Sequence, residues 1–158
     1  MKSPLDSTPA ADGFRMPAEF APHRGCWMLW PRRPDNWREH AAPAQRAFAA
    51  VVKAIAQFEP VTVGVHPAAF EQARLAVEPR VRVVRLDSDD AWMRDIGPTF
   101  VKNAGGSLLG VDWVFNGWGA QSWATWANDA EVARTVLGHV GAPVVSSAMT
   151  NEGGGIHT

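Results

Sequence analysis

The chain has 158 residues, 46% hydrophobic and 20% charged, with a formal net charge of −1 from 15 basic and 16 acidic side chains. That balance excludes disordered and fibrous classes and suits a soluble globular protein able to hide roughly 70% of its unfolded surface. The absence of a basic stripe excludes electrostatic capture of nucleic acid or anionic membrane. With no signal-type segment and no run of eighteen apolar residues, the cytoplasm is the expected location.

Residues 1–15 are polar and Pro-containing and are expected to form a flexible terminus, with the folded part spanning 16–158. Cys26-Trp27-Met28-Leu29-Trp30 is a bulky apolar run closed by Pro31 and Pro34, which predicts a buried strand ended by residues that cannot donate to a ladder. From Asp35 to Phe58 the period changes: Phe48, Val51, Val52, Ile55 and Phe58 recur at helical spacing, predicting an amphipathic helix. Val61–Val65 then reads as a strand, 67–77 as a helix and 81–86 as a strand, and this alternation predicts an α/β protein.

Beyond the acidic run Asp87-Ser88-Asp89-Asp90, strands are predicted at 99–102 and 107–115, joined as a hairpin through Ala104-Gly105-Gly106. Residues 116–128 hold Gly117, Gly119 and three Trp and read as an aromatic loop feeding a helix near 129–137, with a last strand around Val144 and Val145. Two helix-bearing α/β units are discernible.

Two stretches carry candidate chemistry. Asp87 to Pro98 gathers four carboxylates, Arg94 and Trp92 on a loop at a strand end, where α/β proteins assemble sites; the residue types alone also suit a solvated acidic turn. Its spacing is not that of a calcium loop. Glu152-Gly153-Gly154-Gly155 lets backbone approach a ligand beside a carboxylate, although such a run is also an ordinary turn, and it lacks the features of phosphate and dinucleotide loops. Two carboxylates from separate loops, with indole walls nearby, would suit a planar guanidinium, which stays protonated and offers paired N–H donors in a fork.

The run from Asp89 to Phe100, with Trp92-Met93-Arg94-Asp95 and Gly97-Pro98 inside it, resembles the signature of agmatine deiminases and their bacterial peptidyl-arginine deiminase relatives. Met16-Pro17-Ala18-Glu19-Phe20, Pro22-His23, Trp27 to Pro31, Asp112-Trp113, Phe115 to Gly119 and Glu152-Gly153-Gly154 extend the resemblance in family order over about 16–157. It implies a partial pentein-type α/β propeller, about two of five ββαβ units, and hydrolysis of agmatine to N-carbamoylputrescine and ammonia. It further implies that Asp95 clamps two guanidine nitrogens, that Glu152 helps to hold the substrate cation and the catalytic histidine, and that Trp92 lines the pocket. No metal or organic cofactor is implied, and the partner is a small guanidine molecule. Peptidyl-arginine or free arginine is the alternative substrate, and a non-catalytic guanidine-binding or assembly module is the alternative role.

The family's chemistry uses a cysteine in a Gly-rich segment and a His-x-Asp element, and neither motif occurs in these 158 residues. The chain is therefore read as an N-terminal portion, expected to be inactive alone and to self-associate or form homo-oligomers through open edges. Cys26 is expected to be a buried structural thiol and His157 a histidine without chemical role; Trp27, Trp30 and Trp37 are expected in the core, while Trp113, Trp118, Trp123 and Trp126 stay open between core and pocket wall.

Overall fold

A computed structural model describes residues 7–158. The flexible segment expected over 1–15 lies outside the described residues as far as residue 6; from Thr8 to Gly13 the backbone turns, and Arg15 bridges Lys102 through two hydrogen bonds. The chain divides into two compact units.

The N-terminal unit comprises Pro22–Met93 and Thr125–Asp129. Its strands β1 (Cys26–Leu29), β2 (Val61–Val65) and β3 (Arg82–Arg85) form a parallel sheet in the order β1-β2-β3, connected by the helices α1 (Ala42–Ile55) and α2 (Phe70–Ala76). Val61, Val63 and Val65 pack with Trp30, Val52, Ala73 and Val81 into its core. Parallel strands linked by helices are covered on both faces, which is why no position of β2 is exposed: Gly64 is buried like the valines beside it and Thr62 is half-buried.

Helix α1 begins at Ala42, seven residues later than the periodicity suggested. Pro43 explains the delay: proline lacks an N–H and its ring collides with the carbonyl four residues back, so it is accommodated only in a first turn. Upstream, Glu39, His40 and Ala41 take positive φ instead of extending the helix.

The C-terminal unit comprises the segment up to Ala21, Arg94–Ala124 and Ala130–Thr158. Strands β4 (Thr99–Lys102) and β5 (Leu108–Val114) form the expected antiparallel hairpin, and β6 (Val144–Thr150) joins β5 in parallel after α5 (Val132–Val140), giving the order β4-β5-β6. This is the ββαβ sequence of one repeat, whereas the N-terminal unit runs β-α-β-α-β. Val132, Val136 and Leu137 are fully buried, and a Cβ on Gly110 of β5 would overlap the Leu137 side chain. Gly110 therefore sets how closely α5 seats on the sheet. Two short elements carry no periodic signal in the sequence: α3 (Met93–Ile96) and the turn α4 (Gly117–Ala120). No described helix is long and apolar enough to cross a membrane.

Candidate guanidinium site

Asp95 lies in α3, anchored by buried Ile96, and its side chain is half-buried. Among the described residues its carboxylate accepts one hydrogen bond, from Trp118 Nε1 to Oδ2 at 3.2 Å, and it has no ion pair. The neighbouring Arg94 turns instead to Glu19, with Nη1 to Oε1 at 2.5 Å. A half-buried carboxylate next to a neutral donor keeps its full negative charge available, whereas buried charges ordinarily sit with a counter-charge.

Trp118 reaches Asp95 from α4, whose backbone is unusual. Gly117, Trp118, Gly119 and Ala120 all have positive φ, with Trp118 at φ 57 and ψ 44, and Ala120 N–H closes a bond of 2.7 Å onto the Asn116 carbonyl. Left-handed helical geometry costs an L-residue roughly 1–2 kcal/mol, so Trp118 and Ala120 are held there by their surroundings. The Asn116 side chain accepts from Gly119 N–H at 2.8 Å. The Trp118 ring meets Phe115 edge-on at 5.1 Å and stacks with Trp123 at 5.8 Å.

Glu152 follows β6 at the start of the Gly-rich run; it is half-buried and has no side-chain hydrogen bond or ion pair among the described residues. Gly153 brings its segment against α3: a Cβ at this position would collide with the Arg94 carbonyl oxygen, so only glycine permits the approach. The chain segments bearing Asp95 and Glu152 thus meet within one unit. His157 Nε2 lies 3.1 Å from the Gly154 carbonyl, which closes this run on itself.

Trp92 belongs to the N-terminal unit, where the residue is 40% exposed and its ring packs on Trp37 with centroids 5.4 Å apart. The acidic run before it is not a solvated turn at Asp90. That carboxylate is 5% exposed and accepts from Asn36 Nδ2 at 2.8 Å and Trp37 Nε1 at 3.3 Å, with Arg33 Nη1 at 3.7 Å. Asp89 and Asp129 clasp each other's backbone: Asp129 Oδ1 accepts from the N–H groups of Asp89 and Asp90 at 2.7 and 3.1 Å, and the Asp89 carboxylate accepts from Asn128 N–H at 2.8 Å and Asp129 N–H at 3.4 Å. Burial pushes the Asp129 carboxyl up to about 6 against the opposing pull of those two N–H groups, and the charges of Asp89 and Asp90 add to the rise. Asp129 has no distinguishing signal in the sequence, because its partners stand forty residues away.

The remaining polar groups are structural. Asp112 is buried on β5 and pairs with Arg134 Nε at 2.9 Å; burial raises its carboxyl while Arg134 pulls it down. Trp113 Nε1 donates to Thr99 Oγ1 at 2.9 Å, so this Trp joins strands of the hairpin. Trp30 is in the core as expected, whereas Trp27 and Trp37 are half-buried. Cys26 is also half-buried, and burial followed by the charge of Glu59 raises its thiol, which disfavours the thiolate. A depression of about 400 Å³ lined by Trp30, Gln45, Arg46 and Gln72 contains none of the expected site residues. Among the described residues no group of three or more His, Cys, Asp or Glu is arranged to hold a metal ion.

Known proteins place this geometry in context. The chain is 59% identical over 137 residues to an agmatine deiminase of Stutzerimonas stutzeri, covering 84% of this chain and 37% of that protein. It is 52% identical over 158 residues to an agmatine deiminase of Ectopseudomonas mendocina, covering 97% and 43%. A solved agmatine deiminase of Enterococcus faecalis superposes with a TM-score of 0.95 at 42% identity, over 98% of this chain and 43% of that one. The chain therefore spans about two fifths of the length of these relatives, and its α/β architecture is the corresponding part of their pentein fold. A family model described as Porphyromonas-type peptidyl-arginine deiminase matches residues 15–158, and the chain belongs to that family.

Proposed function

We propose that this chain carries the cation-binding part of an agmatine deiminase, a hydrolase that converts agmatine and water to N-carbamoylputrescine and ammonia. The observation that carries the reading is the pair of half-buried carboxylates, Asp95 and Glu152, without cationic partners among the described residues and on segments that meet at Gly153 and Arg94. A guanidinium supplies the missing charge: it is planar, stays protonated with a pKa above about 12, and its N–H fork matches a carboxylate. Asp95 takes the role of clamping two guanidine nitrogens, and Glu152 offers the second negative charge.

Hydrolysis requires a thiolate to add to the guanidine carbon, a general acid to protonate departing ammonia, and water to cleave the resulting thiouronium. Cys26 does not suit the first task, since its surroundings favour the neutral thiol. The nucleophile and the His-x-Asp pair are not among these 158 residues, and the chain by itself is expected to bind without turnover. Agmatine is favoured over free arginine because the relatives at 52–59% identity are agmatine deiminases.

Calorimetric titration of the chain with agmatine and with arginine, followed by an ammonia-release assay, tests this reading. Asp95→Asn should weaken agmatine binding by at least about 1.5 kcal/mol, the value of a hydrogen bond to a charged group. An unchanged dissociation constant would remove Asp95 from the site, and turnover by the chain alone would refute the assignment of the nucleophile elsewhere.

A further inference from the structure

We infer that Trp118 is a positioning residue for the guanidinium clamp, acting through Asp95; the inference rests on the cation-binding role proposed above for that carboxylate. Trp118 Nε1 supplies the one hydrogen bond that the Asp95 carboxylate receives among the described residues. An indole N–H donates and cannot accept, so it fixes one oxygen without adding charge. A Lys or Arg at the same place would orient the carboxylate equally well but would neutralise it and compete with a cationic ligand. A neutral donor takes one lone pair of Oδ2 and leaves its other lone pair, Oδ1 and the net negative charge to the guanidinium fork.

The backbone supports the same conclusion. Gly117 and Gly119 flank Trp118, so glycines already stand within the left-handed turn, yet its central position holds the bulkiest side chain in strained geometry. The ring is immobilised from two directions, edge-on by Phe115 and face-on by Trp123, and the Asn116 side chain pins the turn beneath it. An indole held in this way presents its N–H along one direction, and the carboxylate that accepts it is pre-set for fork geometry before a ligand arrives.

A double-mutant cycle on the full 158-residue chain separates positioning from mere packing. Trp118→Phe keeps an aromatic ring and removes the N–H; we expect it to weaken agmatine binding about five- to tenfold when Asp95 is present and less than about twofold in the Asp95→Asn background. Equal losses in both backgrounds would overturn the inference. A second measurement needs no ligand and does not depend on the folding of the Trp118 variant: the indole N–H resonance of Trp118 in the nitrogen–proton spectrum should shift on Asp95→Ala, and an unmoved resonance overturns the inference equally. If that resonance responds to Asp95→Ala but wild type binds no agmatine, the guanidine reading itself fails and the positioning role falls with it.

Discussion

Replacing Asp129 by Asn should stabilise the protein at neutral pH, although it alters a buried, hydrogen-bonded residue. Asp129 is 1% exposed, and its Oδ2 has no hydrogen-bond partner among the described residues. Its carboxyl rises from the ordinary 3.8 to about 6, so the folded chain holds this proton more tightly than the unfolded chain does. Between those two values the folded state binds more protons, and stability from this group is complete below pH 4 and lost as pH rises through 6. At about 1.4 kcal/mol per pH unit, ionising Asp129 in place costs on the order of 3 kcal/mol. Asparagine keeps an acceptor oxygen for the Asp89 and Asp90 N–H groups and removes the charge that Asp89 and Asp90 oppose. Urea unfolding of both proteins from pH 4 to 8 isolates this residue together with its coupling to Asp89 and Asp90, because the titrating groups that do not interact with it cancel in the difference. The variant's advantage should be near zero at pH 4, grow up to pH 6 and level off at ~3 kcal/mol. A difference independent of pH, or an asparagine variant less stable at pH 7.5, would refute the reasoning, since it would mean that the carboxylate's bonds outweigh its burial.

Three further expectations follow from packing. Gly153→Ala introduces a Cβ against the Arg94 carbonyl, so it should displace the Glu152 segment and weaken agmatine binding at least about tenfold by calorimetry, by analogy with losing a bond to a charged group. Gly110→Ala places a methyl inside the Leu137 side chain and should cost about 1–3 kcal/mol in urea unfolding, the usual range for overpacking. Strand β6 lies at one edge of its sheet with Val144 38% and Met149 63% exposed; self-association is therefore expected by size-exclusion chromatography, and Met149→Lys should shift the elution toward the monomer. A monomeric wild type would count against the edge as a contact.

Much of the scaffold is legible because burial imposes a period. The apolar run of β1, the valines of β2, the helical spacing of Phe48, Val52 and Ile55, and the Gly-containing hairpin between β4 and β5 each reflect a local rule, and each element forms where that rule places it. The rule fails where a single residue overrides the period. Pro43 moves the start of α1, and α4 follows left-handed geometry that two glycines permit but do not specify. Contacts between distant positions leave no local pattern at all, which is why the Asp89–Asp129 clasp, the fit of Gly153 against Arg94 and the reach of Trp118 to Asp95 emerge only from the fold.

The acidic residues show how the fold separates structure from chemistry where letters cannot. Asp89, Asp90 and Asp95 stand within seven positions and are indistinguishable by type. Asp90 is enclosed by Asn36, Trp37 and Arg33, and Asp112 by Arg134 and Ser146, so their charges are answered from within the protein. Asp129 meets N–H donors but no ion pair among the described residues, and its raised carboxyl records the cost of that burial. Asp95 and Glu152 form a third kind: half-buried, without a cationic partner among the described residues, and next to glycine-dependent or strained backbone. A carboxylate whose counter-charge is internal gains nothing from a cationic ligand, since binding would have to break an existing pair. One partly withdrawn from water and left unanswered gains the whole interaction, and this difference in available charge, rather than the density of acids along the chain, is why we propose Asp95 and Glu152 for a guanidinium.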